Sequence, residues 1–168
     1  MPVSVTEMST PSLMTYIQER FLDVHRQELP ELVRLARKVE TRHANEIDAP
    51  HGLAAALQAI ATELEAHIDK EEAVVFPALS EGKFGQMQNA LASLRLEHAN
   101  HETAVNLIAA INHGLRLPLN ACTSWRKLYA GLGKLAEDLD EHRYLEDNVL
   151  FPRFETAVQL SGQETAQP

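Results

Sequence analysis

His67-Ile68-Asp69-Lys70-Glu71-Glu72-Ala73-Val74-Val75-Phe76-Pro77 returns, in the same frame, as His142-Arg143-Tyr144-Leu145-Glu146-Asp147-Asn148-Val149-Leu150-Phe151-Pro152. Each copy places Glu four residues after His, then an acidic residue, then Phe-Pro. Leu64 and Leu139 each lie three residues before their His. Residues four apart share a helix face, so each copy offers one imidazole beside one carboxylate. A single such pair is common on exposed helices. Two copies with the same Phe-Pro offset are hard to explain by a solvated face and read instead as ligands on two facing helices.

The flanking sequence supports helices throughout. Leu13, Ile17, Phe21, Val24, Leu29, Leu32, Leu35 and Val39 make the apolar stripe of a first helix, Thr10 to His43. Pro30 interrupts this stripe and predicts a kink or a break. A second helix is predicted from Pro50 to Leu79, with Asp48 as its cap, and a third from Gly85 to His113, stopped by Gly114. The fourth is predicted from Asn120 to Val158. The Phe-Pro steps are expected to end regular helix. Strand signals are scarce, and 168 residues suit one domain with a sizeable core. The expected fold is all-α, an up-down-up-down four-helix bundle. It would form one domain over 1–168, with its core at about 10–158 and frayed ends.

Composition narrows the function. The net charge of −9 argues against nucleic acid or an anionic membrane as partner. One cysteine, Cys122, allows no internal disulfide, Cys-based zinc site or iron–sulfur cluster. It sits at the start of the fourth helix, where the dipole favours a thiolate, but far from Glu146, and is read as structural. No signal peptide or transmembrane run is evident, so the expected compartment is the cytoplasm.

Eight histidines stand against three tyrosines and one tryptophan, and histidine is the commonest metal ligand. His67, Glu71, His142 and Glu146 supply two imidazoles and two carboxylates able to bridge a metal pair. His98, midway along the third helix, adds another imidazole. This donor set suits iron or manganese better than copper(I), and zinc remains open on ligand type. Glu97 and Glu102 are read as surface groups or as groups behind the ligands. Asp69, Glu72, Asp138, Glu141 and Asp147 are further candidates to orient the histidines.

These stretches, with His25-Arg26-Gln27-Glu28-Leu29-Pro30-Glu31-Leu32, Lys38-Val39-Glu40, His43-Ala44 and Ala121-Cys122-Thr123-Ser124-Trp125, resemble the hemerythrin-like domain of the repair-of-iron-centres proteins. The resemblance covers about residues 16–156. It implies a cytoplasmic non-haem di-iron protein that repairs iron–sulfur clusters damaged by nitric oxide or oxidants. The implied ligands are His67, Glu71, His98, His142 and Glu146, both glutamates bridging two irons with an oxo or hydroxo bridge. Implied partners are damaged iron–sulfur proteins and small ligands such as nitric oxide or oxygen. The role is that of a metal-binding repair protein more than a conventional enzyme. Two alternatives stay open: an oxygen- or nitric oxide-binding or sensing module, and a degenerate bundle with a mononuclear or empty site.

Two departures bear on that reading. Leu22 stands where the family has a first-helix ligand histidine, and leucine cannot bind iron. His25, one turn on, is the candidate substitute, with His43 and His101 in reserve. The family's N-terminal module with paired cysteines is also expected to be missing.

Overall fold

The computed structural model describes residues 3–156. Four long helices carry them. Helix α1 joins α-helical Thr10–Ile17, a π-helical turn at Gln18–Leu22 and α-helical Asp23–Arg42. Helix α2 joins Leu53–Lys70, a π-helical turn at Glu71–Val75 and Phe76–Glu81. Helix α3 is Gln88–Ile111. Helix α4 joins Thr123–Tyr144, a π-helical stretch at Leu145–Leu150 and residues 151–156. There is no strand among the described residues. The expected end of α4 at Val158 lies outside them.

Cross-helix contacts give the topology. Moving up α1, Arg26 meets Asp69 and then Glu40 meets Ala54, so α2 runs down. Lys70 reaches Ser93 and His67 reaches His98, so α3 runs up. His98 contacts Asp147 and Glu102 contacts Arg143, so α4 runs down. Glu28 contacts Lys134 and His43 contacts Cys122, which closes α4 back onto α1. The bundle is therefore up-down-up-down, as the sequence predicts.

The apolar stripes face inward. Leu13, Ile17, Phe21, Leu53, Leu57, Leu64, Trp125, Leu128 and Phe151 are buried. Helix α1 packs extensively on α2 and α4, and α2 on α3, whereas α3 and α4 touch sparingly. Between α1 and α4 the approach is so close that a Cβ on Gly131 would lie 2.6 Å from Leu32 Cδ2.

Several local expectations change. Pro30 breaks nothing: α1 runs through it. Burial of Leu29, Leu32 and Val33 on either side offsets a cost of about 3 kcal/mol for the missing hydrogen bond. Asp48 does not cap α2. Gly52 occupies the cap at φ 88°, and the Glu40 carboxylate accepts from the Gly52 and Ala54 amides. Helix α4 starts after Cys122, not Asn120. Neither Phe-Pro step ends its helix; each follows a π-helical turn and leads into further α-helix. Residues near Thr6 are tied down, because Arg153 donates to the Met8 and Thr6 carbonyls.

A polar seam fastens α1 to α4. Asp138 is buried, with Arg20 at 2.8 Å and Lys134 at 2.7 Å. Burial opposes its ionisation, but Arg20 and Lys134 outweigh this and hold the carboxyl below its usual range. The folded pKa thus lies below the unfolded one. Its stabilisation is complete above about pH 5 and disappears as pH falls through the folded value. Because both partners are part-exposed, Asp138→Asn is expected to cost about 1 kcal/mol at pH 7. In urea unfolding of metal-free protein, the gap between wild type and variant should close as pH drops below about 4.

Candidate metal centre

The repeat brings its two imidazole–carboxylate pairs to one height in the bundle. In α2, His67 ends an α-helical segment and Glu71 opens a π-helical turn. In α4, His142 is α-helical and Glu146 lies in the π-helical stretch. Helix α3 contributes His98. One ligand atom from each of His67, Glu71, His98, His142 and Glu146 lies within 4.8 Å of all the others. All five side chains are buried.

The donor atoms point at one another. His67 Nε2 is 2.9 Å from Glu71 Oε1, His142 Nε2 is 2.9 Å from Glu146 Oε1, and His98 Nε2 is 3.0 Å from Glu146 Oε2. The Nε2 atoms of His67 and His98 are 3.2 Å apart. Both oxygens of Glu71 and of Glu146, and Nε2 of His142, nonetheless lack a hydrogen-bonding partner. Buried polar atoms are normally satisfied, so five orphans in one cluster call for a common partner. Bonds of about 2.1 Å to one octahedral ion place adjacent donors about 3 Å apart. The residues present therefore fit a metal of the iron, manganese or zinc type.

The rear nitrogens are held by carboxylates. His67 Nδ1 is 2.6 Å from Glu97 Oε2, and Lys70 also contacts Glu97. His98 Nδ1 is 2.9 Å from Asp147 Oδ1. Once a metal displaces the cluster protons, a proton kept on each Nδ1 would leave each Nε2 lone pair facing the centre, which fixes tautomer and ring direction. Of the carboxylates that the sequence offered for this task, Glu97 and Asp147 perform it. Asp69 and Glu72 instead bind Arg26, Asp138 binds Arg20 and Lys134, and Glu102 binds Arg143.

Charge in the cluster is compressed. Burial and the facing Glu146 push the Glu71 carboxyl up to about 7. Burial works against Glu146 too, but His142 and His98 outweigh it and hold that carboxyl low. For His98, burial disfavours the cation, yet Asp147 and Glu146 win and raise it to about 10. Protons are thus shared within the cluster, and a bound metal would displace them.

His25 lies beside this group without joining it. Its ring is 5.5 Å from that of His142 and 6.4 Å from Phe21. It is fully buried with both nitrogens unpartnered, and burial lowers it to about 3, so it is neutral. Leu22 is buried in the π-helical turn of α1. His101 stands 5.0 Å from His67, ring to ring, between two surface openings. The larger opening, about 340 Å³ between α3 and α4, reaches His98 and His142. His43, held in reserve as a ligand, binds Glu46 and Cys122 instead.

A sequence profile of the Hemerythrin HHE cation binding domain matches residues 18–157. Iron-sulfur cluster repair protein YtfE of Pectobacterium carotovorum is 40% identical over 147 residues, 88% of this chain and 66% of that protein. The same-named protein of Musicola paradisiaca is 40% identical over 141 residues, 84% of this chain and 64% of the relative. A probable iron-sulfur cluster repair protein of Haemophilus influenzae is 36% identical over 148 residues, covering 88% and 66%. The chain thus spans just under two thirds of the length of these curated relatives.

Removing a carboxylate behind a ligand tests the geometry without touching the ligands. Glu97→Gln and Asp147→Asn are each expected to weaken metal binding by about 10- to 100-fold. Chelator competition with ferrous or cobaltous ion would measure it, with far-UV circular dichroism unchanged.

Proposed function

The chain belongs to the hemerythrin HHE cation-binding family, and on that footing we propose that it is a non-haem di-iron protein that repairs damaged iron–sulfur clusters. The observation that carries this reading is the convergence of five buried donors, five of whose atoms have no other partner. We take the chain to act as one hemerythrin-like domain, with His67, Glu71, His98, His142 and Glu146 as the iron ligands and both glutamates as bridges. An oxo or hydroxo bridge would complete the pair.

His25 is the proposed replacement for the ligand that Leu22 cannot supply. Its neutral, unpartnered imidazole beside His142 supports that role. Lying outside the five-donor cluster, it would hold its metal more loosely than the others hold theirs.

When bound, an iron pair would supply redox change and an open position for a small ligand. The chain's own part is to orient the imidazoles through Glu97 and Asp147, and to keep bulk water out with Phe21 and Phe151, whose rings stack on His142 and His98. In cluster repair by donation, iron is the cargo and damaged iron–sulfur proteins are the clients. The names of the relatives support that client class. The opening over His98 and His142 favours a second reading, a module that binds or senses oxygen or nitric oxide. No helix of the described residues is long and apolar enough to cross a membrane, and we propose a cytoplasmic location.

Anaerobically loaded wild type should carry two irons per chain, and His25→Ala should lose about one of them first on dialysis against a chelator. Mössbauer spectra with metal analysis read both quantities; a single iron in wild type would sink the di-iron reading. The loaded protein should also restore a cluster enzyme damaged by nitric oxide beyond a free-iron control. Reversible oxygen spectra with no iron transfer would favour the sensing module.

A further inference from the structure

A second group of reactive side chains sits at the other end of α4. Cys122 is a free, part-exposed thiol at the residue before that helix. It lies twenty residues before His142, about 30 Å away at 1.5 Å per residue, so it is separate from the metal centre. His43 closes α1, its amide donating to the Val39 carbonyl. Its imidazole spans from α1 to α4. Nε2 lies 3.3 Å from Cys122 Sγ, and Nδ1 lies 2.8 Å from Glu46 Oε1. The ring is buried against Trp125, centroids 4.9 Å apart.

This is more than a cysteine filling a cap. A carboxylate that accepts from Nδ1 fixes the imidazole tautomer, which turns the Nε2 lone pair to the thiol. The positive end of α4 adds its field to the same sulfur. Beside them the Trp125 indole is buried, its ring 6.2 Å from that of Tyr129. The surrounding titratable groups are few. Tyr129, one turn along α4, is pushed up by burial and stays neutral, with Asp48 facing it from the α1–α2 loop. Arg126 turns to the Ala121 and Leu119 carbonyls. Glu46 holds His43 above its ordinary value. Burial opposes the thiolate, but His43 and the Trp125 and Ser124 amides outweigh it.

We propose that Cys122 is a reactive thiol that exchanges with small-molecule disulfides, with His43 as its base and Glu46 as the residue that positions His43. The Cys122 sulfur attacks one sulfur of the disulfide. A new S–S bond forms, the old one breaks, and the departing thiolate takes the proton that His43 received from Cys122. The Cys122 sulfur is oxidised and the released sulfur reduced, so no further oxidant enters.

The test is the reaction of the folded full-length chain with dithiobis(nitrobenzoate), which releases a coloured thiolate. Since the chain has one cysteine, every release reports Cys122, and Cys122→Ser should give none. The wild-type rate should inflect below the ordinary thiol value of about 8.5. At pH 6 it should exceed the rate of the same chain in urea by roughly tenfold. His43→Gln keeps a hydrogen-bonding group but no base, and should lower the pH 6 rate roughly tenfold and return the inflection towards 8.5. Glu46→Gln should fall between. A wild-type inflection at or above the ordinary value overturns the proposal, and so does an unchanged rate in folded His43→Gln. If that variant does not fold, the wild-type profile against the urea reference decides.

Discussion

Two carboxylates and three imidazoles are packed in the middle of the bundle with their lone pairs turned on one another. Everything around them follows from that conflict. Taking Glu71 and Glu146 out of water costs several kcal/mol each, and only the crowded imidazoles of His67, His98 and His142 stand near enough to answer it. A cation between them is the partner that would satisfy all the donors at once. The surrounding helices meet the cost meanwhile, through a continuous apolar core from Leu13 to Phe154. Glu97 and Asp147, on the outer side of the rings, keep the histidines from turning away.

The backbone makes room for this by departing from regular α-helix. Three helices carry a π-helical stretch beside the cluster, at Gln18–Leu22, Glu71–Val75 and Leu145–Leu150. Such insertions gather at functional sites because one extra residue in a turn re-aims the side chains that follow. In α2 and α4 the change of phase falls on the glutamate of the repeat. The Phe-Pro step then resets the ladder, since proline has no N–H to offer it. A motif that looks like a stop signal is thus a register shift.

Much of this was legible in the residues. Apolar spacing located four helices, and the duplicated His-x-x-x-Glu located the buried His and Glu cluster, because both signals are periodic and local. The errors arose where a distant chain segment competes with a local cue. Glu40 reaches across from α1 to cap α2, which no reading of Asp48 and Pro50 could reveal. Pro30 is carried by the packing of its neighbours. Glu97 and Asp147 were among seven acidic candidates, and only the position of the rings separates them. The pairing of His43 with Cys122 joins residues 79 positions apart, and nothing in either neighbourhood announces it.

The uneven zipping of the bundle has a consequence of its own. Helix α1 is gripped from two sides, while α3 and α4 meet along a thin seam. His98 and His142 stand on either side of that seam, directly beneath its opening. A seam joined at few points parts at less work than the whole fold. Motion there would swing one donor helix from another while α1 and α2 stay clasped, so an ion could leave through a local hinge without the molecule unravelling.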